Sequence, residues 1–164
     1  MEHIWAPWRS VYIKGKEPVD EGCVLCAHFA ARQSEHRDRG VLFKNEYGYV
    51  VLNRYPYTGG HVMVVPHRHV PTPLDLSDEE YGGLSALLRS SIQKVQQAFK
   101  PHGMNVGMNL GRPAGAGIDQ HCHFHVVPRW NGDTNFISVV SDMRVVSQSL
   151  LETYDVLKPC FEKP

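Results

Sequence analysis

No run of this chain approaches the roughly eighteen consecutive apolar residues of a membrane-crossing helix. The opening residues, with Glu2, His3, Pro7 and Arg9, also lack the apolar core of a secretory signal. No membrane partner and a cytoplasmic location are therefore the expectation. An excess of either charge is missing as well: 17 Lys+Arg stand against 17 Asp+Glu, and the dense charged run from Glu35 to Arg39 mixes signs. A protein that coats a polyanion needs a basic excess or a basic stripe, so nucleic acid is not an expected partner, although a small anion needs only a few donors. Cysteine is scarce, and Cys23, Cys26, Cys122 and Cys160 are too few and too irregular for a secreted disulfide framework. Internal repeats and low-complexity tracts are absent. What remains is ordinary globular composition, 42% hydrophobic and 21% charged over 164 residues, enough for one core.

Residues 1–40 show an aromatic opening (Trp5, Trp8, Tyr12) and a short cysteine-containing segment but no sustained periodicity, and read as an arm on a globular unit of residues 41–164. Short apolar runs at Val41 to Phe43, Tyr47 to Leu52 and Gly60 to Pro66, separated by turn residues, predict three strands. Ser77-Asp78-Glu79-Glu80 is a capping box. Leu84, Leu87, Leu88, Ile92, Val95 and Phe99 follow at helical spacing, and Pro101 with Gly103 ends the helix. Met104 to Leu110 and Gln120 to Val127 predict two further strands around a glycine-rich link, Gly111 to Gly117. Leu150, Leu151, Tyr154 and Leu157 predict a shorter helix ended by Pro159. Hairpin-length connections favour a mostly antiparallel sheet of about five strands, hence an α+β fold.

Histidine is the outlier, with ten residues, and His121-Cys122-His123-Phe124-His125-Val126-Val127 is the informative stretch. On a strand, alternate residues share a face, so the three imidazoles line one side roughly 7 Å apart while Cys122, Phe124 and Val126 face the other. A merely solvated face would mix residue types. Two chemistries fit: alternate histidines can bind zinc, or one imidazole can attack phosphorus while its neighbours hold phosphate oxygens. The link Gly111-Arg112-Pro113-Ala114-Gly115-Ala116-Gly117 lets backbone N–H groups approach an anion closely, which favours phosphate.

The stretch His121 to Val127 resembles the histidine triad superfamily, whose signature is His-φ-His-φ-His-φ-φ with φ apolar. Leu52-Asn53-Arg54 followed by Gly60-His61-Val62 is similar to the segment that carries the family's ribose-binding asparagine and a fourth histidine. The likeness covers roughly Val41 to Arg129. It implies a histidine-triad-like fold, a homodimer, and a nucleotide hydrolase or transferase working through a nucleotidyl-histidine intermediate. By position, the resemblance makes His123 the nucleophile, places His125 and His61 on phosphate oxygens, and gives His121 a supporting role. Asn53 holds the ribose, and Asn109 with the backbone of Gly115, Ala116 and Gly117 orients the phosphates. The fragile-histidine-triad hydrolases have glutamine where this chain has Gly117. The long glycine loop, Asn109 to Gly111 and Pro128-Arg129-Trp130 look more like bacterial diadenosine tetraphosphate phosphorylases, which favours dinucleoside polyphosphates and phosphorolysis over hydrolysis. Magnesium is expected only as a companion of the nucleotide.

Cys23-Val24-Leu25-Cys26 has the spacing of half a zinc site. Resemblance to triad proteins with this motif implies His69 and His121 as the remaining ligands of a structural zinc, with His67 and His28 as alternatives. A redox pair would need a βαβ context that the sequence lacks, and two unlinked cysteines are the plain alternative. Cys122 and Cys160 read as packing or surface residues. Three other functions stay open: a nucleoside phosphoramidase, a non-catalytic nucleotide-binding module, and a hydrolytic zinc on His121, His123 and His125.

Overall fold

The computed structural model describes residues 22–133 and 148–162, so Trp5, Trp8 and Tyr12 lie outside the described residues. The elements in chain order are α1 (Val24–Ala30), α2 (His36–Arg39), β1 (Val41–Lys44), β2 (Gly48–Leu52) and β3 (Val62–Pro66). They continue with α3 (Asp78–Phe99), β4 (Gly103–Met108), β5 (Phe124–Arg129) and α4 (Leu150–Glu162). Among the described residues the strands form one antiparallel sheet in the order β1-β2-β3-β5-β4, an α+β architecture with four helices.

Every residue of β2 and β3 is buried, because both faces of this part of the sheet are covered. On one face Leu42, Val50, Leu52, Val62, Val64 and Val126 pack against Leu84, Leu87 and Val95 of α3 and Tyr154, Leu157 and Phe161 of α4. On the other, Val41, Tyr49, Val51, Met63 and Val65 pack with Leu25 of α1. The Tyr49 hydroxyl donates to the Leu25 carbonyl at 2.6 Å, fastening α1 to the sheet. The capping box starts α3 as the sequence predicts: Ser77 Oγ accepts from Glu80 N–H at 3.2 Å and Glu80 Oε2 accepts from Ser77 N–H at 2.7 Å. Gly83 lets α3 press onto the β1–β2 turn, since a Cβ there would stand 2.1 Å from Tyr47 Cγ.

Three expectations change. The C-terminal helix does not stop at Pro159 but runs through it to Glu162. Proline forfeits one i−4 hydrogen bond near the helix end, while Phe161 beyond it is buried in the core and Lys94 Nζ donates to the Cys160 carbonyl at 2.7 Å. The third strand begins at Val62, because Gly60, at φ 81°, and His61 complete the preceding turn. β5 begins at Phe124, so His121 and His123 precede the ladder and only His125 lies in it. The segment before it is held otherwise: Cys122 N–H donates to the Val70 carbonyl at 2.7 Å.

Candidate active site

His125 projects from β5 with Met63 of β3 and Gly107 of β4 as its cross-strand partners. His61 enters from the turn before β3, and its ring centroid lies 5.1 Å from that of His125. His123 sits on the other side of His125, at 4.8 Å between centroids. Alternation therefore still brings His123 and His125 together, although one of them lies outside the strand.

Hydrogen-bond directions assign the ring protons. The Tyr57 backbone N–H donates to His61 Nδ1 at 3.1 Å, so the proton of neutral His61 is on Nε2 and is donated to His125 Nδ1 at 3.0 Å. That leaves the His125 proton on Nε2. His123 Nδ1–H donates to the His121 main-chain carbonyl at 2.9 Å, which leaves a lone pair on His123 Nε2. Burial and then the neighbouring His125 and His123 push the His61 pKa down to about 3. Burial and then His123 push His125 down to about 4, and burial lowers His123 as well. Near neutral pH the cluster is thus uncharged, which is the state an attacking imidazole requires.

The geometry shows what surrounds two groups of expected site residues. His61, expected on phosphate oxygens, is 1% exposed, and its ring nitrogens bond to Tyr57 N–H and to His125 Nδ1. The glycine link was expected to offer the N–H groups of Gly115 and Ala116 to an anion. Instead Gly115 N–H donates to the Arg112 carbonyl at 2.9 Å and Ala116 N–H to the Gly111 carbonyl at 3.2 Å. Gly115, at φ 94°, closes this turn in the left-handed region. Gly117 beyond it is exposed. Asn109 Nδ2 reaches the Gly115 carbonyl at 3.5 Å, and an ion pair of 3.0 Å between Arg112 and Asp119 spans the loop. Asn53 is half-buried, its Oδ1 accepting from Tyr55 N–H at 2.9 Å and its Nδ2 3.5 Å from His61 Nε2.

Tyr57 was not foreseen. Besides its N–H on His61, its ring covers His61 at 4.7 Å and His125 at 5.8 Å between centroids. In the sequence it reads as one more turn residue after Pro56, and its spacing of four from His61 is the one signal that links them.

Behind the histidines, Cys23, Cys26, His69 and His121 bring one ligand atom each to within 4.8 Å of one another. Cys23 Sγ lies 3.4 Å and Cys26 Sγ 3.6 Å from His121 Nδ1, and Cys26 Sγ lies 3.2 Å from His69 Nδ1. Tetrahedral zinc, with Zn–S of about 2.3 Å and Zn–N of about 2.0 Å, sets S···N edges of roughly 3.5 Å, and these contacts match. His121 Nε2–H donates to the Pro66 carbonyl at 3.0 Å, which turns the Nδ1 lone pair towards the thiols, the arrangement of a ligating histidine. Burial, then the neighbouring Cys23, raise the Cys26 thiol pKa, a penalty that a bound cation reverses. The donor set therefore fits zinc, which when bound neutralises the thiolates and cross-links α1 to the sheet.

The alternative ligands fall away. His67 stacks on Phe29 with centroids 4.1 Å apart, and neither it nor His28 joins the cluster. A hydrolytic metal on His121, His123 and His125 is disfavoured because His121 Nδ1 faces the thiols and His123 Nδ1 is spent on a carbonyl. Cys122 is buried, its thiol pushed up to about 11 by burial, and Cys160 is half-buried on α4.

Comparison with known proteins identifies relatives of the chain. The HIT domain profile matches residues 34–132. A Mycobacterium tuberculosis protein named AP-4-A phosphorylase is 36% identical over 161 residues, 96% of this chain and 83% of the relative. A bis(5'-adenosyl)-triphosphatase from Dictyostelium discoideum is 33% identical over 98 residues, 60% of this chain and 62% of the relative. Among solved structures, a zinc-bound histidine triad family protein from Mycobacterium smegmatis superposes with a TM-score of 0.67 at 26% identity, covering 87% of this chain and 94% of that one. A hypothetical histidine triad nucleotide-binding protein from Sulfolobus tokodaii shares the fold, with a TM-score of 0.65 at 23% identity over 85% of this chain and 92% of that one. The chain belongs to the HIT domain family.

Proposed function

We propose that this chain is an enzyme that cleaves dinucleoside polyphosphates, such as diadenosine tetraphosphate, through a nucleotidyl intermediate on His123 Nε2. The observation that carries the reading is the pair of opposed tautomers: an Nε2 lone pair on His123 beside an Nε2–H on His125. In the first step His123 Nε2 forms a bond to the α-phosphorus, and the bond from that phosphorus to the bridging oxygen breaks. The electron pair leaves with the nucleoside polyphosphate, towards which His125 Nε2–H donates. In the second step an acceptor oxygen attacks the same phosphorus, the P–N bond breaks and His123 is regenerated. Tyr57 N–H and His61 position His125, Asn53 takes the ribose, and Asn109 with Gly117 borders the phosphates. Metal on Cys23, Cys26, His69 and His121 is structural, and magnesium accompanies the substrate.

Phosphate is favoured over water as acceptor. The relative named AP-4-A phosphorylase, matched across nearly the whole chain, supports this, as does the glycine at position 117. A homodimer in the cytoplasm completes the proposal. The sheet ends on β4, whose outer edge has no partner strand among the described residues, and an unpaired edge suits a second copy. Among the described residues no helix is long and apolar enough to cross a membrane.

The test is incubation of purified protein with diadenosine tri- and tetraphosphate, with and without inorganic phosphate, and separation of the products. ADP with ATP from the tetraphosphate, dependent on phosphate, is the expected result. AMP with ATP regardless of phosphate replaces phosphorolysis with hydrolysis. Turnover of phosphoramidates alone, or none, overturns the reading in favour of a phosphoramidase or a binding module.

A further inference from the structure

The geometry points to a second task for the metal-ligand cluster: through His121 it positions the nucleophile, so that ligation of Nδ1 holds the carbonyl that orients His123. This inference rests on the function proposed above, in which His123 Nε2 attacks.

The argument begins with where β5 starts. Its first residue is Phe124, so the carbonyl of His121, which accepts the His123 Nδ1–H at 2.9 Å, lies outside the sheet ladder. Ladder hydrogen bonds therefore do not fix it. The Cys122 N–H bonded to Val70 anchors the peptide on one side, and the other anchor is the side chain of His121 itself. That ring is fully buried, gives Nε2–H to Pro66 at 3.0 Å, and turns Nδ1 to Cys23 and Cys26 at 3.4 and 3.6 Å. One residue thus offers its ring to the cysteine pair and its backbone to the nucleophile. Held at both ring nitrogens, the His121 side chain restrains the main chain that carries it, and with it the carbonyl on His123 Nδ1. Released, it keeps one ring anchor, and His123 loses the acceptor that selects its reactive tautomer. A staple that only bound α1 to the sheet would duplicate the Tyr49 hydroxyl on Leu25, which already does so.

The experiment compares zinc-loaded wild type, Cys23→Ser/Cys26→Ser and Tyr49→Phe. It reads zinc content, the ring nitrogen resonances of His123 by 15N NMR at a fixed neutral pH, and kcat and KM on diadenosine tetraphosphate with phosphate. The double serine variant keeps side-chain shape and removes both thiolates. It is expected to lose zinc, to shift His123 from the Nδ1–H form to a mixture of tautomers, and to lose about 10- to 100-fold in kcat, with KM within a few-fold. Tyr49→Phe, which loosens α1 without touching a ligand, is expected to keep its zinc, its His123 signals and its kcat. A folded double variant with unchanged His123 signals and kcat, or an equal loss in Tyr49→Phe, overturns the inference. Should the double variant fail to fold, exchange of cadmium for zinc in the wild type decides. Its longer bonds push on His121, so kcat is expected to fall several-fold with displaced His123 resonances, and no change in either overturns the inference. A wild type that turns over no dinucleoside polyphosphate defeats the proposed function, while the His123 signals still report the coupling.

Discussion

Replacing His61 with glutamine removes a titration while keeping the hydrogen bonds around it. The glutamine carbonyl can accept from Tyr57 N–H and its amide can donate to His125 Nδ1, the two bonds that His61 makes. His61 is 1% exposed, and burial, then His125 and His123, hold its pKa down at about 3 against an ordinary 6.5. Between those values the unfolded chain binds a proton that the folded state refuses, so stability rises with pH across the window. The contribution is fully present above about pH 6.5 and is lost as pH falls towards about 3. From pH 7 to pH 5 the unfolded imidazole passes from about a quarter protonated to nearly full, which costs the fold about 2 kcal/mol. For a chain of this size that corresponds to roughly 4 to 8 °C in Tm. Thermal unfolding of wild type and His61→Gln at pH 7, 6 and 5, followed by circular dichroism, reads the difference. Subtraction cancels groups common to both, including thiol ligands that also protonate in acid. The variant is expected to lose roughly 4 to 8 °C less than wild type between pH 7 and pH 5. Equal losses would refute a buried, neutral His61.

His123→Ala is expected to lower turnover at least about 10³-fold while nucleotide binding by calorimetry stays within a few-fold; retained turnover sinks the mechanism. Gly117→Gln is sterically free, since a Cβ there meets nothing within 4 Å. It is expected to move the products from ADP towards AMP at fixed phosphate, and an unchanged ratio counts against the role given to that position. Gly83→Ala forces a Cβ to 2.1 Å from Tyr47 Cγ, whereas one at Gly82 meets nothing within 4 Å. Urea unfolding should show Gly83→Ala destabilised by about 1–3 kcal/mol and Gly82→Ala stabilised by up to about 1 kcal/mol. The opposite order would contradict the packing of α3 on the β1–β2 turn.

Much of the fold was legible because its signals are local. The capping box, the helical spacing of Leu84, Leu87 and Val95, and the continuous apolar runs of β2 and β3 each lie within one segment. The end of α4 was misread because Pro159 is a local stop signal that burial of Phe161 overrides. The grouping of His123 with His125 was legible, since alternation alone brings the two rings together. The start of β5 was not, because the backbone before it bonds to Val70, in a distant segment.

The sequence by itself determined the donor types, the α+β order of elements and the grouping of alternate histidines beside a glycine-rich loop. Those follow from residue identity and from periods of two and three to four. Only the tertiary structure showed that His69, and not the alternative His67, meets the cysteines, that His61 bonds to His125, and that Gly115 and Ala116 spend their N–H groups within the loop. The reason is physical: ligand convergence and proton direction depend on where distant segments meet. Cys23 and His121 are 98 residues apart and His61 and His125 are 64 apart, beyond the reach of any local pattern.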